Sequence, residues 1–235
     1  MSYSVTVDVD GPAGLACRPG GPWDGRLTSR SEHEYVWRGL ERVLGVLERF
    51  GARATFYVPG TTVEQDPAVF REIAAAGHEI GHHGYRHLPT HELDETGERD
   101  ELERGIDALA RIGVAPRGYR SPGWELTPTT LDLLPRLGFA WDSSLMGDER
   151  PYRVGGLVEL PVHWRLDDVP YFMRHADPRD VLRIWTAEHD RAEGHLTFTI
   201  HPEVTGRGLW MVLLEGLLDH AGPVASHGDA CAAVP

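Results

Sequence analysis

Four of the eleven residues in Gly77-His78-Glu79-Ile80-Gly81-His82-His83-Gly84-Tyr85-Arg86-His87 are histidines. They fall where a short apolar segment runs out into what reads as a loop. A second signal, Val7-Asp8-Val9-Asp10-Gly11, closes the first apolar segment of the chain. Imidazole nitrogens with one carboxylate are the donor set of a hydrolytic metal centre, provided positions stay open for water and substrate. His78 and His82, His83 and His87, and His87 and His91 are each four apart, so spacing alone does not choose among them. Placement narrows the choice. His78 lies at a helix-to-strand junction and reads as a structural hydrogen-bonder, while His91, after Pro89-Thr90, reads as exposed. His83 and His87 occupy the strand exit, where they are either ion ligands or polar loop histidines. Asp8 and Asp10 share one face of a strand because side chains alternate with period two. One carboxylate can then hold a cation while the other acts as a base. A turn-forming aspartate before Gly11-Pro12 would account for Asp10 but leaves Asp8 unexplained.

Two further positions carry a choice of reading. Arg120, beside the rigid turn Ser121-Pro122-Gly123-Trp124, is either a surface arginine or a bidentate partner that holds a carboxylate in place. His201 ends the apolar run Leu196 to Ile200 and precedes Pro202. Alone it reads as structural; opposite a metal site it becomes a general acid.

The elements that must position these residues alternate from end to end. Strands are expected at Val5 to Val9, Ala54 to Val58, Glu79 to His82, Gly118 to Arg120, Phe139 to Trp141, Leu157 to Val162, Leu196 to Ile200 and Val224 to Ser226. Helices are expected at Glu34 to Phe50, Pro67 to Ala76, Asp94 to Ile112, Pro128 to Leu137, Pro178 to Ala192 and Gly208 to Ala221. Gly11 to Pro22, rich in glycine and proline, reads as a loop over the first strand. Alternation of this kind predicts a parallel sheet with helical crossovers, and its length fits an α/β barrel better than two domains. In such folds chemistry gathers at the carboxyl ends of strands, where Asp8, Asp10, His82, His83, Arg120, Asp142 and His201 all fall.

Composition excludes several functions. The formal net charge of −13 argues against binding nucleic acid or an anionic membrane through a basic face. The chain of 235 residues has no lysine and no asparagine, which removes Schiff-base chemistry and phosphate-loop NTPases. Cys17 and Cys231 form no CxxC pair, so cysteine zinc sites and redox motifs are out, and two unpaired thiols are favoured over a disulfide. The amino-terminal residues do not read as a signal peptide, and no segment has the length of a membrane span. A cytoplasmic location is the expectation.

The motifs VTVDVDGP, ATFYVPG, GHEIGHHGYRH, GYRSPGWELT, GFAWDSSLM, VELPVHWRLDDVPYF and TIHPEVTGR occur in an order that resembles the polysaccharide deacetylase superfamily, carbohydrate esterase family 4. The resemblance runs nearly the whole length, residues 1–235, as one catalytic domain. It implies a distorted (β/α) barrel with about seven parallel strands. It implies that Asp10, His83 and His87 bind a divalent metal ion, Zn²⁺ first, with Co²⁺, Ni²⁺, Fe²⁺ or Mn²⁺ as alternatives. Asp8 would be the base and Arg120 would orient it. His201 would protonate the leaving nitrogen, Asp142 would orient His201, and the backbone N–H near Gly123 would help to hold an oxyanion. Trp124, His82, Trp164 and Asp168 would line the substrate pocket; the alternative for the Trp164–Tyr171 segment is a solvated loop with buried aromatics.

There are departures from the family pattern. Val9 separates two aspartates that are adjacent in many extracellular members, as in a mostly intracellular subgroup. His82 stands where many relatives have asparagine, and Leu88 where the subgroup often has glutamate. That subgroup includes allantoinase-like and cyclic-imide-hydrolase-like enzymes and is often homo-oligomeric. The implied activity is therefore metal-dependent hydrolysis of a non-peptide C–N bond in a small N-acyl or cyclic amide. N-deacetylation of an amino sugar leads, ring opening of a cyclic imide or ureide is the alternative, and a silent sugar-binding protein is a distant third.

Overall fold

A computed structural model of the chain describes residues 2–16, 31 and 33–234. Its eight strands are β1 (Ser2–Asp8), β2 (Thr55–Val58), β3 (Glu79–His82), β4 (Gly118–Tyr119), β5 (Trp141–Asp142), β6 (Tyr152–Val154), β7 (Leu157–Glu159) and β8 (His195–Ile200). They form one sheet in the order β6-β7-β5-β4-β3-β2-β1-β8. Seven strands are parallel, and β6 pairs antiparallel with β7. The seven-stranded parallel (β/α) barrel expected from sequence is what forms, as a curled sheet with β6 and β8 at its two ends. Helices at Val36–Phe50, Pro67–Ala75, Glu95–Ala110, Pro128–Arg136, Pro178–Arg191 and Val212–Ala221 surround it. Among the described residues no helix is long and apolar enough to cross a membrane.

The strand β1 sets the logic of the layers. Tyr3, Val5, Val7 and Val9 enter the main apolar cluster with Val36, Leu40, Val43 and Leu47 of the first long helix and Trp185 of the Pro178–Arg191 helix. The alternate positions Ser4, Thr6 and Asp8 are buried on the other face, inside the barrel. The apolar side of the sheet therefore looks outward to the helices, and the interior is a hydrogen-bonded polar column. Thr6 bonds Thr199 across the β1–β8 ladder at 3.1 Å, and Ser4 meets both His195 (3.0 Å) and the Ala225 carbonyl (2.7 Å). Tyr57 bonds His227 at 2.7 Å, and His227 meets Thr197 at 3.2 Å. The column is satisfied internally, as buried polar groups must be.

Gly39 serves the site directly. A Cβ there would lie 1.9 Å from the Pro202 carbonyl oxygen, and one on Gly206 would lie 2.4 Å from the Gly39 Cα. Only paired glycines let the Val36–Phe50 helix press its backbone on the segment that follows His201.

The structure departs from the expected elements at four places. Val224 to Ser226 is not a strand: its one backbone bond to β1 is Ala225 N–H to the Tyr3 carbonyl at 2.9 Å. Ser226 then caps the helix His227–Ala232 through a reciprocal box with Asp229. Strand β6 was not expected; consecutive positive-φ residues Gly155 and Gly156 build its tight hairpin to β7. The helix expected from Gly208 begins as a 3₁₀ turn, Gly208–Met211. The Gly11 to Pro22 loop contains a helical turn at Ala13–Ala16, and its part from Cys17 onward lies outside the described residues.

The polar column carries a pH signature. Burial pulls the His195 pKa from 6.5 down to about 4. The ring stays neutral in the fold while the unfolded chain takes up a proton near 6.5, so stability falls as pH drops from 6.5 toward about 4. The contribution is roughly 3 kcal/mol at about 1.4 kcal/mol per pH unit. Denaturant unfolding across that window is expected to show a steeper loss for the wild type than for His195→Gln; matching slopes would rule out His195 as the cause.

Candidate active site

The site lies at the carboxyl ends of β1, β3, β4 and β8. Asp8 closes β1, and Asp10 follows on the same face after Val9, whose N–H continues the sheet by bonding the Tyr57 carbonyl at 3.0 Å. Gly11 at φ 54° then turns the chain. His83 leaves β3 with Nδ1 2.8 Å from the Arg120 carbonyl oxygen. A carbonyl can only accept, so Nδ1 carries the proton and Nε2 presents its lone pair.

His87 reaches the same point by a strained route, at φ 61°. A left-handed backbone of this kind costs on the order of 1–3 kcal/mol and persists only where surroundings over-determine it. Here they do. The Glu101 carboxylate accepts from the N–H groups of Tyr85 (3.0 Å) and Arg86 (2.8 Å) and from Arg86 Nε (2.6 Å). Gly60 and Thr61 donate their N–H groups to the Gly84 and Tyr85 carbonyls. His82, expected near substrate, is instead fully buried beneath this loop. Its Nδ1 accepts from Gly84 N–H at 3.1 Å and its Nε2 meets the Leu102 carbonyl at 3.0 Å. Burial pulls its pKa down to about 3, so it braces the loop as a neutral ring.

The donor set fits a metal ion. Asp10 Oδ1 lies 3.3 Å from both His83 Nε2 and His87 Nε2, and the three ligand atoms lie within 4.8 Å of one another. Among the described residues Asp10 Oδ1 is buried without a hydrogen-bond partner. Burial pushes the Asp10 carboxyl up, but the imidazoles of His87 and His83 outweigh it and hold the group well below the usual range. These three ligand atoms form a donor set that one ion can share, and two imidazoles with one carboxylate suit a transition metal.

Arg120 and Asp8 form the next shell of contacts, both buried. Arg120 Nη1 donates to Asp8 Oδ1 at 2.6 Å and Thr6 Oγ1 at 2.9 Å; Nε and Nη2 donate to the Ser143 carbonyl and hydroxyl at 2.9 and 2.8 Å. Its guanidinium carbon stands 4.3 Å over the Tyr57 ring. The other Asp8 oxygen, Oδ2, lies 3.9 Å from His83 Nε2.

His201 stands at the end of β8, and its partner differs from expectation. Nδ1 meets Asp168 Oδ1 at 2.8 Å, while Asp168 Oδ2 accepts from His201 N–H (2.9 Å) and Thr205 Oγ1 (2.6 Å). Asp168 is fully buried and saturated, so it orients His201 and does not line a substrate pocket. Burial pulls the His201 pKa down, but Asp168, then Asp167 and Asp10, outweigh it and hold it well above 6.5. Asp142, expected to orient His201, accepts instead from Ser144 Oγ (2.9 Å) and Ser144 N–H (3.0 Å). It lies beside Glu159, whose carboxyl is pushed to about 11 by burial and by the Asp142 charge. Burial and the Asp142 charge favour the protonated form of Glu159, whose Oε1 accepts from the Ser144 and Leu145 N–H groups under the turn that presents Ser143.

At the rim, Trp124 (φ 61°, after Gly123 at φ 68°) stacks on Trp164 with centroids 4.4 Å apart and 23° between planes. Trp164 is 47% exposed, and Gly123 is exposed. Tyr171 Oη donates to the Arg165 carbonyl at 3.2 Å. Sequence reasoning missed Glu101 and Glu203. Glu203 is buried with Oε2 unpartnered among the described residues, its pKa pushed up to about 8 by burial and by Asp10. Its only sequence signal was an acidic residue within an otherwise buried post-strand segment.

A model of the polysaccharide deacetylase family matches residues 36–141. A Mycobacterium smegmatis protein described as a polysaccharide deacetylase has a crystal structure that superposes with a TM-score of 0.89 at 36% identity, covering 98% of this chain and 88% of that one. A Helicobacter pylori peptidoglycan deacetylase is 29% identical over 264 residues, spanning 91% of this chain and 87% of the relative. The allantoinase PuuE shares the fold, with a TM-score of 0.86 at 20% identity over 98% of this chain and 89% of that one.

The partner assignment is open to direct measurement. In metal-free protein, Asp168→Ala is expected to lower the His201 imidazole pKa, read by NMR titration, whereas Asp142→Ala leaves it in place. A His201 titration unmoved by Asp168→Ala would remove Asp168 from the orienting role.

Proposed function

Since this chain belongs to the polysaccharide deacetylase family, we propose that it is a metal-dependent hydrolase that removes the acetyl group from an N-acetylated amino sugar or a related small molecule. The observation that carries this reading is the meeting of Asp10, His83 and His87 at one point, with Asp8 on Arg120 and His201 on Asp168 beside it. The deacetylase relatives support hydrolysis of a carbon–nitrogen bond.

Asp10, His83 and His87 would hold the ion, with Zn²⁺ the best match to their chemistry. A divalent ion there supplies Lewis acidity to a carbonyl and acidifies water. Asp8 is placed to take the proton of the attacking water through Oδ2, since Arg120 fixes its other oxygen. His201, with Nδ1 anchored on Asp168, turns Nε2 to the leaving nitrogen and gives it a proton. The Gly123 N–H stands at the rim as a donor for negative charge growing on the carbonyl oxygen. Trp124 and Trp164 offer an aromatic platform to the rest of the substrate.

Substitution separates these roles. His83→Ala is expected to lose metal and turnover together, and metal analysis finding full occupancy would contradict the ligand assignment. His201→Ala is expected to keep the metal and lose roughly 10²–10⁴-fold in kcat; wild-type turnover would remove the proton-donor role. Mass spectrometry of products from N-acetylated amino sugars, cyclic imides and ureides settles the substrate class. Loss of an acetyl group dependent on His201 supports the proposal, while addition of one water with ring opening replaces it.

A further inference from the structure

A second cluster of metal-binding side chains lies at the other end of the barrel. The helices Pro178–Arg191 and Val212–Ala221 both end near Tyr3, at the start of β1. His189 and Asp190 sit in the last turn of the first, and His220 in the last turn of the second. Asp190 Oδ1 lies 2.7 Å from His220 Nε2 and 3.5 Å from His189 Nδ1, and one ligand atom from each residue lies within 4.8 Å of the others.

The cluster is preplaced. The His189 ring is held edge-on against Tyr3 with centroids 5.4 Å apart, and the Tyr3 hydroxyl is anchored on the Gly222 carbonyl at 2.7 Å. The His220 ring meets the His189 ring at 81°. Charge points the same way. The carboxyl ends of two helices carry partial negative charge, and a carboxylate placed there is unfavourable unless a cation meets it. Arg191, the adjacent cation in sequence, donates to the Ala187 carbonyl at 3.1 Å and leaves Asp190 alone.

We propose that His189, Asp190 and His220 form a second metal site, distinct from the catalytic one. It takes a nitrogen-preferring divalent transition metal of the Zn²⁺, Co²⁺ or Ni²⁺ class, with remaining positions filled by water. The donor set disfavours Mg²⁺ and Ca²⁺, which prefer oxygen. Its occupant pins the ends of two helices that flank the β1–β8 pair, so it acts on stability and not on turnover.

The test is Zn²⁺ calorimetry on metal-free protein. The wild type is expected to bind two ions per chain, and Asp190→Asn and His220→Ala one each. Asn at position 190 keeps an oxygen for the His220 hydrogen bond, so loss of the second ion there separates coordination from hydrogen bonding. In a His83→Ala/His87→Ala background a single ion should remain, and adding Asp190→Asn should remove it. Co²⁺ spectra provide an independent reading, with a second set of absorption bands in the wild type that Asp190→Asn abolishes. A single ion per wild-type chain that is lost in His83→Ala/His87→Ala and kept in Asp190→Asn, or a second ion that survives Asp190→Asn, overturns the assignment. Failure of the catalytic metal reading would instead appear as an ion lost on Asp190→Asn but not on His83→Ala/His87→Ala.

Discussion

The alignment of Asp8 and His83 in the candidate site depends on one buried arginine. The Arg120 guanidinium ties β1 through Thr6 and Asp8 to the turn after β5 through Ser143. Removing one partner of a buried pair of this kind typically costs about 3–5 kcal/mol, because the other charge is left uncompensated. Arg120 acts by a second route as well. Its backbone carbonyl fixes the tautomer of His83, so the same residue aligns the Asp8 carboxylate and turns a lone pair toward Asp10.

The inverted layering of the sheet makes this arrangement affordable. With Val5 and Val7 packed outward and Ser4, Thr6 and Asp8 inward, the interior offers hydroxyl partners where most parallel barrels stack branched aliphatics. A guanidinium in such an interior finds an acceptor for each of its three nitrogens. The two halves of the site are then set by different devices. The His83–His87 loop is held by Glu101 and by the N–H groups of Gly60 and Thr61, whereas His201 is held by Asp168 and by close backbone packing at Gly39.

Much of this was legible in the sequence. The alternation of strand and helix, the shared face of Asp8 and Asp10, and the histidines leaving β3 follow from local periodicity, and local periodicity is what a sequence expresses directly. Partner choice is not local. Asp142 and Asp168 are both aspartates near strand ends, and only the path of the chain after β7 decides which one reaches His201. The burial of His82 was equally hidden, since it depends on Gly105, where a Cβ would lie 2.1 Å from His82 Nε2. The helix at His227–Ala232 and the hairpin at Gly155-Gly156 carried legible signals, a capping box and a double-glycine turn, that were outweighed by apolar runs beside them.

The two duties of Arg120 differ in how they would survive genetic change. Its carbonyl belongs to the main chain and persists whatever side chain stands at position 120, so the His83 tautomer is insulated from substitution there. The alignment of Asp8 rests on the guanidinium and has no such insulation. On the proposed roles of Asp8 and of Asp10, His83 and His87, drift at this position would erode proton transfer first and leave ion capture standing, so a lineage losing its activity this way would pass through a metal-holding intermediate before losing the site altogether.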